Sequence, residues 1–165
     1  MEKITDPKGN TLLFAYDSKK RLVRVTNQKG LHWSFERDIV GRVVRETDFD
    51  GRTLAYEYDP AGHVIRRDNP DISWLEYDYD KSGLMIEMRA FADAKAAPLV
   101  TRYEYDGNGA LIATANADAE IELTRDAMGR ITAETVNGVT VTSEIDCCGR
   151  RSARRIDGQN LDFFL

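Results

Sequence analysis

Regularly spaced carboxylates are the first groups in this sequence that could do chemistry. Carboxylate oxygens bind calcium, at distances of about 2.3–2.6 Å. If each aspartate closes one hairpin, neighbouring aspartates lie two strand spacings apart, roughly 10 Å, which is too far to share an ion. We therefore predict that each caps its own turn through hydrogen bonds to the backbone. The seven aspartates recur at steps of 20 to 26 residues: Asp17, Asp38, Asp59, Asp80, Asp106, Asp126 and Asp146.

The remaining reactive residues form no recognisable site. His32 and His63 belong to different repeats and have no cysteine or acidic cluster at metal-ligand spacing. Cys147 and Cys148 are neighbours, and the peptide between adjacent cysteines must distort to allow a disulfide. We expect two free thiols, no metal site and no cofactor. No nucleophile motif is present, so the sequence predicts that the chain is not an enzyme.

A β-hairpin is the element that positions each aspartate. In the best copy, Leu54, Tyr56 and Tyr58 alternate with polar or small residues, which is the period of a half-buried strand. Residues 59–62 then read Asp-Pro-Ala-Gly, the residue types of a type I turn. An apolar pair, Val64-Ile65, opens the returning strand. The sequence thus predicts an all-β fold, a meander of successive hairpins in a long, strongly curved antiparallel sheet.

Glycine follows most of the turn aspartates by three positions. A type I turn splays its strands unless the next residue is left-handed and forms a bulge, and glycine does this without steric cost. Lys20 replaces glycine in the first turn, so we predict a positive φ there or a remodelled turn. The turn-defining glycines are Gly41, Gly62, Gly83, Gly109, Gly129 and Gly149.

Residues one, three and five positions before each turn aspartate share one sheet face, because strand side chains alternate. Most are aromatic or aliphatic, so they predict three apolar stripes across the hairpins and a candidate interface. A terminal strand over residues 158–165 continues the pattern. The candidate interface residues are Phe14, Trp33, Phe35, Tyr56, Tyr58, Tyr77, Tyr79, Tyr103, Tyr105 and Phe163.

The links at the other end of the hairpins are expected to be shorter. Asp50-Gly51, Asn137-Gly138 and Asp157-Gly158 have the residues of two-residue type I′ turns, and Lys29-Gly30 is a weaker example. The step of 26 residues contains an Ala-rich insertion, residues 90–98. We expect a protruding loop there, with room for one short helical turn, or a contact loop for a partner.

Composition limits the partners. The formal net charge is −5, which argues against nucleic acid or an anionic membrane as a partner. No apolar run approaches the ~20 residues of a membrane-spanning helix, and residues 1–6 lack the apolar core of a signal peptide. We therefore expect a cytoplasmic bacterial protein, or one exported with a larger toxin by a specialised secretion system. The sequence has one basic cluster, formed by Arg150, Arg151, Arg154 and Arg155. We interpret it as a solvated edge or as a docking site for an acidic partner.

The unit Y-x-Y-D-x-x-G resembles the YD repeat of the Rhs family, whose relatives include the C component of insecticidal toxin complexes and the teneurins. Residues 56–62, 77–83 and 103–109 are near-full copies in register. The resemblance implies a β-strip that spirals into a hollow shell, and in bacterial polymorphic toxins that shell encloses a C-terminal toxin. The shell-closing motif of those proteins is not found, so no cleavage residue is assigned.

Three functions are compatible with a single tandem-repeat domain over residues 1–165, with about seven hairpins. The leading one is a non-catalytic segment of an Rhs-type shell that encloses or docks a toxin polypeptide or pairs with further Rhs repeats. The second is an orphan fragment that binds a toxin like an immunity protein. The third is a glycan-binding module in which tyrosines stack on sugars. Because a single layer leaves its stripes in water, we also expect a homodimer through the apolar face or an edge.

Overall fold

The computed structural model describes residues 2–157 and the backbone of residues 159 and 160. Within these residues sixteen β-strands alternate with short turns, and no helix is present. The strands are β1 (Glu2–Thr5), β2 (Thr11–Tyr16), β3 (Leu22–Thr26), β4 (His32–Arg37), β5 (Val43–Thr47), β6 (Thr53–Tyr58), β7 (Val64–Asp68), β8 (Trp74–Tyr79), β9 (Met85–Phe91), β10 (Leu99–Tyr105), β11 (Leu111–Ala115), β12 (Glu120–Arg125), β13 (Ile131–Val136), β14 (Val139–Ile145), β15 (Arg151–Ile156) and β16 (Gln159–Asn160).

The strands follow one another in the sheet in chain order, β1 to β16. The paired strands run antiparallel, and the repeat brings equivalent residues into equivalent pairs: Phe14 faces Val25, Phe35 faces Glu46 and Tyr56 faces Arg67. This order is that of an open antiparallel meander. The predicted all-β class and hairpin topology are thereby confirmed.

The chain divides into two compact units. The first comprises Met1–Glu76 with Ala90–Ala97, and the second comprises Tyr77–Arg89 with Pro98–Leu165. Each unit is built from the same hairpin. The terminal strand predicted over residues 158–165 and its Phe163 lie outside the described residues, apart from the backbone of β16, which pairs with β15.

The aspartate turns have the predicted bulged geometry. In the turn after β6, the Gly62 N–H donates to the Asp59 carbonyl at 3.1 Å and the Asp59 N–H donates to the His63 carbonyl at 3.0 Å. Gly62 has φ +99°, and the register shifts by one residue between Glu57 and Tyr58. The left-handed Gly62 lets the type I turn join two paired strands, and the register shift lies three residues later, at Ile65.

Lys20 has φ +61°, which confirms the expectation for the one turn that lacks glycine. A lysine in this conformation brings its Cβ close to the backbone, at a cost of about 1–2 kcal/mol. We expect Lys20→Gly to raise the free energy of unfolding by about 0.5–1 kcal/mol, because glycine relieves the strain but is more flexible when unfolded. Urea unfolding measures the change. Lys19→Gly, at a position without positive φ, should destabilise instead, and the same sign for both variants would contradict the prediction.

Two of the four predicted type I′ turns are wrong. Asp50-Gly51 belongs to a longer turn in which the Asp48 N–H donates to the Arg52 carbonyl at 2.9 Å and only Gly51 is left-handed. Likewise Lys29-Gly30 ends an Asn27-to-Gly30 turn, in which the Gly30 N–H donates to the Asn27 carbonyl at 2.9 Å and the Asn27 N–H donates to the Leu31 carbonyl at 3.0 Å. An acidic or amide side chain three residues before the glycine accepts backbone N–H groups, which favours the three-residue connection.

The type I′ prediction for Asn137-Gly138 is confirmed, because both residues have positive φ, +50° and +84°. Asp157 has φ +44°, and Ile156 faces Gln159 across the turn, whereas Gly158 is outside the described residues. The first residue of each turn also extends the adjacent ladder. The Glu120 N–H donates to Asn137 Oδ1 at 2.8 Å, and the Thr140 N–H donates to Asp157 Oδ1 at 3.1 Å.

The Ala-rich insertion contains no helical turn; residues 92–96 form bends between β9 and β10. Asp93 Oδ1 accepts the N–H groups of Lys95 and Ala96 at 2.7 and 2.9 Å. At the start of the insertion, the Phe91 ring stacks on Trp74 with the centroids 4.6 Å apart. An aromatic anchor in the first unit therefore holds one end of this loop.

Neither unit has a buried core among its described residues. Most apolar side chains are half-buried against their strand neighbours, and several at turns, such as Ile39 and Met128, are almost fully exposed at 93% and 80%. A lone sheet has solvent on both faces, so its stability must come from ladder hydrogen bonds, cross-strand pairs and the turns. The turns and the apolar face are therefore where function is to be sought.

Candidate functional site

The carboxylate of each aspartate turn binds both the backbone and the side chain that follows the turn. Asp17 Oδ1 accepts the N–H groups of Lys19 and Arg21 at 2.8 and 2.9 Å. The Nε–H group of Arg21 donates to Asp17 Oδ2 at 2.7 Å, and the side chains of Arg21 and Asp17 are 31% and 23% exposed. This arrangement fixes the turn from inside and leaves the carboxylate no free oxygen pair for a metal ion.

The residue directly after the glycine is the partner that the sequence analysis missed. Its side chain bonds the turn carboxylate in most turns, whereas Leu84 and Ala110 leave the Asp80 and Asp106 carboxylates with backbone donors alone. The available signal was the repeated arginine in the unit D-x-x-G-R. The pairs are Asn10 with Asp6, Arg21 with Asp17, Arg42 with Asp38, Arg52 with Asp48, His63 with Asp59, Arg130 with Asp126 and Arg150 with Asp146.

These arginines also connect one turn to the next. In the first unit, Arg42 Nη1 donates to the Asp59 carbonyl at 3.1 Å, and its guanidinium lies 4.6 Å from the centre of the Tyr58 ring. Arg21 reaches so close to the following turn that a Cβ on Gly41 would lie 2.5 Å from its Nη1. In the second unit Arg130 Nη1 donates to the Asp146 carbonyl at 3.4 Å. Successive turns within a unit are therefore linked in series.

The residue before each turn aspartate forms a second link between hairpins. The Tyr58 hydroxyl donates to the Val43 carbonyl at 2.6 Å, and the Tyr105 hydroxyl donates to the Met85 carbonyl at 2.8 Å. Where arginine replaces tyrosine, Arg37 Nη2 donates to the Leu22 carbonyl at 3.1 Å. The sequence predicted only an apolar stripe at these positions. The tyrosine of the YD unit thus has a polar role as well.

The pKa values of the Asp17, Asp38, Asp59, Asp126 and Asp146 carboxyls are lowered. The N–H of Arg21 is the largest cause at Asp17, the N–H of Arg150 is the largest at Asp146, and the side chain of His63 is the largest at Asp59. At Asp38 desolvation raises the pKa, but the hydrogen bonds from Arg42 and Gly41 outweigh it. These turns are therefore built around ionised carboxylates.

We expect stability to fall steeply in acid. A carboxyl whose pKa is lower in the folded state stabilises the protein above its unfolded pKa, and this stabilisation is lost as the pH falls through the folded value. The melting temperature should change little from pH 7 to pH 5 and drop below about pH 4. Thermal melts followed by circular dichroism test this, and a melting temperature that is constant down to pH 3 would contradict it.

The stripe face is the sheet face that carries the residues one, three and five positions before each turn aspartate. In the first unit, Trp33 stacks near Phe35 with centroids 6.2 Å apart and meets Phe49 edge-on at 5.7 Å. Phe14 and Tyr56 lie in β2 and β6 of that unit; Tyr77, Tyr79, Tyr103 and Tyr105 lie in β8 and β10 in the second. Within each unit, the structure therefore places the described candidate interface residues on repeated strands.

The stripe face also carries charges that the sequence analysis did not place there. Glu46 faces Phe35 across the ladder, and its carboxylate accepts the Tyr56 hydroxyl at 2.7 Å. Desolvation, followed by the bond to Glu46, raises the pKa of Tyr56 to about 12. Arg67 faces Tyr56 and Arg154 faces Ser143. The predicted basic cluster is indeed divided, because Arg155 faces Thr142 on the opposite face.

Residues with metal or redox chemistry are dispersed. Across residues 2–157, no group of three His, Cys, Asp or Glu side chains could hold a metal ion. His32 Nδ1 lies 3.0 Å from the Thr26 hydroxyl, and His63 is held by Asp59. Cys147 and Cys148 are free and exposed at the tip of their turn, with Sγ atoms 3.9 Å apart. The described part of the chain contains no helix that could cross a membrane.

These features define a YD-type β-repeat protein. Its hairpins are bulged and follow one another in tandem, arginine and tyrosine side chains link the turns, and the described residues form an aromatic stripe face without a buried core. A family model described as Teneurin YD-shell matches residues 2–143. The chain belongs to the Teneurin YD-shell family and has the fold of a structural shell segment. No curated protein matches the chain.

Solved toxin-complex structures share the fold. The chain resembles part of the Photorhabdus luminescens Tc holotoxin pore with a TM-score of 0.77 and 17% identity, covering 94% of this chain and 10% of that one. A TcdB2–TccC3-TEV crystal structure matches with a TM-score of 0.78 and 17% identity, covering 94% of this chain and 10% of that one. A TcdB2–TccC3 crystal structure without the hypervariable C-terminal region matches with a TM-score of 0.76 and 18% identity, covering 92% of this chain and 9% of that one. The chain thus spans about a tenth of these neighbours.

Proposed function

We propose that the chain is a non-catalytic structural and interaction module, a segment of an Rhs-type β-shell whose stripe face encloses or docks a toxin polypeptide. The observation that carries this proposal is the unburied apolar face. Ile4, Leu12 and Tyr16 remain 60%, 38% and 41% exposed on the stripe face of the first unit. Exposed apolar area on one face favours contact with another protein.

The chemistry of the site supports a scaffold rather than a catalyst. The turn carboxylates are saturated by backbone and arginine donors, as the 2.6 Å contact between Arg42 and Asp38 illustrates. The tyrosine hydroxyls Tyr58 and Tyr105 are engaged by carbonyl oxygens. These polar groups hold hairpins together and leave the apolar face as the feature available to a partner. The shared fold with Tc toxin complexes supports a toxin polypeptide as that partner.

The test is co-purification of the chain with the polypeptide encoded beside it. Leu54→Glu places a charge on the stripe face of β6, and Ala55→Glu places the same charge on the opposite face of the same strand. We expect Leu54→Glu to reduce recovery of the partner at least tenfold and Ala55→Glu to leave it unchanged, with both variants folded by circular dichroism. Equal recovery with the two variants would contradict the proposal.

Other outcomes favour other functions. Suppression of a toxin's activity by the separately expressed chain would support an immunity-like protein. Specific signals on a glycan array would support a glycan-binding module. A dimer by light scattering that Leu54→Glu dissociates would show that a second copy covers the stripe face.

A further inference from the structure

Arginine occupies the same repeat position once in each unit, at Arg67 and Arg154. Arg67 in β7 pairs across the ladder with Tyr56, and Arg154 in β15 pairs with Ser143. Tyr56 and Ser143 each lie three positions before a turn aspartate, so both arginine side chains lie on the stripe face. The Nε atom of each is shielded from solvent and forms no hydrogen bond within the described residues. A polar atom that loses water without gaining a partner costs free energy.

The neighbouring arginines provide a contrast within each unit. Arg66, on the opposite face, contacts Asp68 at 2.8 Å and lies 4.8 Å from the centre of the Trp74 ring. Arg155, also on the opposite face, pairs with Glu144. Each unit thus has adjacent arginines, of which one is paired with a carboxylate and the other, on the stripe face, forms no ion pair with any residue that the structure describes.

Carboxylates on the stripe face do not fill this role. In the first unit Glu46 bonds the Tyr56 hydroxyl rather than Arg67. In the second, the register of β12 to β15 places Arg125, Arg151 and Arg154 on the stripe face with one carboxylate, Glu134. The stripe face of these four strands is therefore positive, although the whole chain has a formal charge of −5. Charge complementarity favours an acidic partner there.

We propose that Arg67 and Arg154 are each a docking residue for a carboxylate of an extended acidic polypeptide segment that lies on the stripe face of the same unit. The inference rests on the proposed function and specifies the partner's chemistry. A guanidinium binds a carboxylate with two parallel hydrogen bonds, and its two terminal Nη atoms can supply both donors. The apolar stripes beside each arginine accommodate the partner's alternate side chains, as in an extended strand.

The test uses three labelled twelve-residue peptides that alternate leucine with aspartate, asparagine or lysine. Fluorescence anisotropy measures their binding to the full chain. We expect the aspartate peptide to bind at least tenfold more tightly than the other two. Arg67→Gln and Arg154→Gln should each weaken its binding at one of two sites by about tenfold, which corresponds to the loss of one charged hydrogen-bonded contact.

The matched controls are Arg66→Gln and Arg155→Gln, which remove the same charge from the opposite face and should leave peptide affinity within about twofold. Thermal melts of all four variants separate loss of binding from loss of folding, and Arg67→Lys, which keeps the charge, should recover part of the affinity. Equal binding of the aspartate and asparagine peptides, no binding of any peptide, or equal losses for Arg66→Gln and Arg67→Gln would overturn the inference. The co-purification result with Leu54→Glu would stand in each case, so the two proposals fail separately.

Discussion

Replacing Arg37 with leucine should lower the free energy of unfolding by about 2–3 kcal/mol, because two hydrogen bonds from a charged donor are lost. Arg37 Nη1 donates to the Gly41 carbonyl and Nη2 to the Leu22 carbonyl, both at 3.1 Å. The side chain therefore links its own turn to the preceding hairpin. Urea unfolding with an unchanged m-value measures the loss.

Arg37→Tyr is the informative companion variant. Tyr58 occupies the same repeat position and donates its hydroxyl to the Val43 carbonyl at 2.6 Å. A tyrosine at position 37 should restore the bond to the preceding hairpin and limit the loss to about 1 kcal/mol. Arg45→Leu, which breaks only an exposed ion pair with Glu36 at 3.6 Å, should cost less than about 0.5 kcal/mol. If the leucine and tyrosine variants unfold alike, the link between hairpins is not what the residue supplies.

Trp74→Ala should destabilise the protein by about 2–4 kcal/mol, the largest effect expected of any apolar substitution in the first unit. The indole stacks on Phe91 at 4.6 Å and 8°, lies under the Arg66 guanidinium at 4.8 Å, and donates Nε1–H to Glu76 at 3.0 Å. Its removal releases the start of the insertion as well as the β7–β8 pair. Thermal and urea unfolding both report this change.

A double-mutant cycle tests the stacking directly. Trp74→Ala, Phe91→Ala and the double variant should give a coupling energy of about 0.5–1.5 kcal/mol between the two rings. Ile72→Ala serves as the control, because Ile72 is 75% exposed in the adjacent turn and should change stability by less than about 0.5 kcal/mol. Zero coupling would mean that the insertion is not held by Trp74.

The sequence period was sufficient to predict the hairpins, the bulged aspartate turns and the stripe face. Alternation in 54–58 and the D-x-x-G spacing are local signals, and the register follows from them because a one-residue slip would move every apolar side chain to the other face. The positive φ of Lys20 followed from the same turn geometry. Local chemistry thus determined the backbone path.

One error was local, and two other features depend on more than one turn. Asp50-Gly51 has the residues of a type I′ turn, but Asp48 in the same turn accepts the Asp50 and Arg52 N–H groups and imposes the longer turn. The role of Arg42 depends on the next turn, whose Asp59 carbonyl it reaches. The face of Arg67 depends on the bulge, which shifts the strand by one residue. The last two features need the three-dimensional register of neighbouring strands.

The most direct test of the central claim is site-specific photo-crosslinking from the two faces of β6. A benzophenone amino acid is placed at Tyr56, on the stripe face, or at Ala55, on the opposite face, in cells that also express the polypeptide encoded beside this chain. The account predicts crosslinks to that polypeptide from position 56 and at least tenfold fewer from position 55. Equal crosslinking from both positions, or crosslinks from position 55 alone, would contradict it.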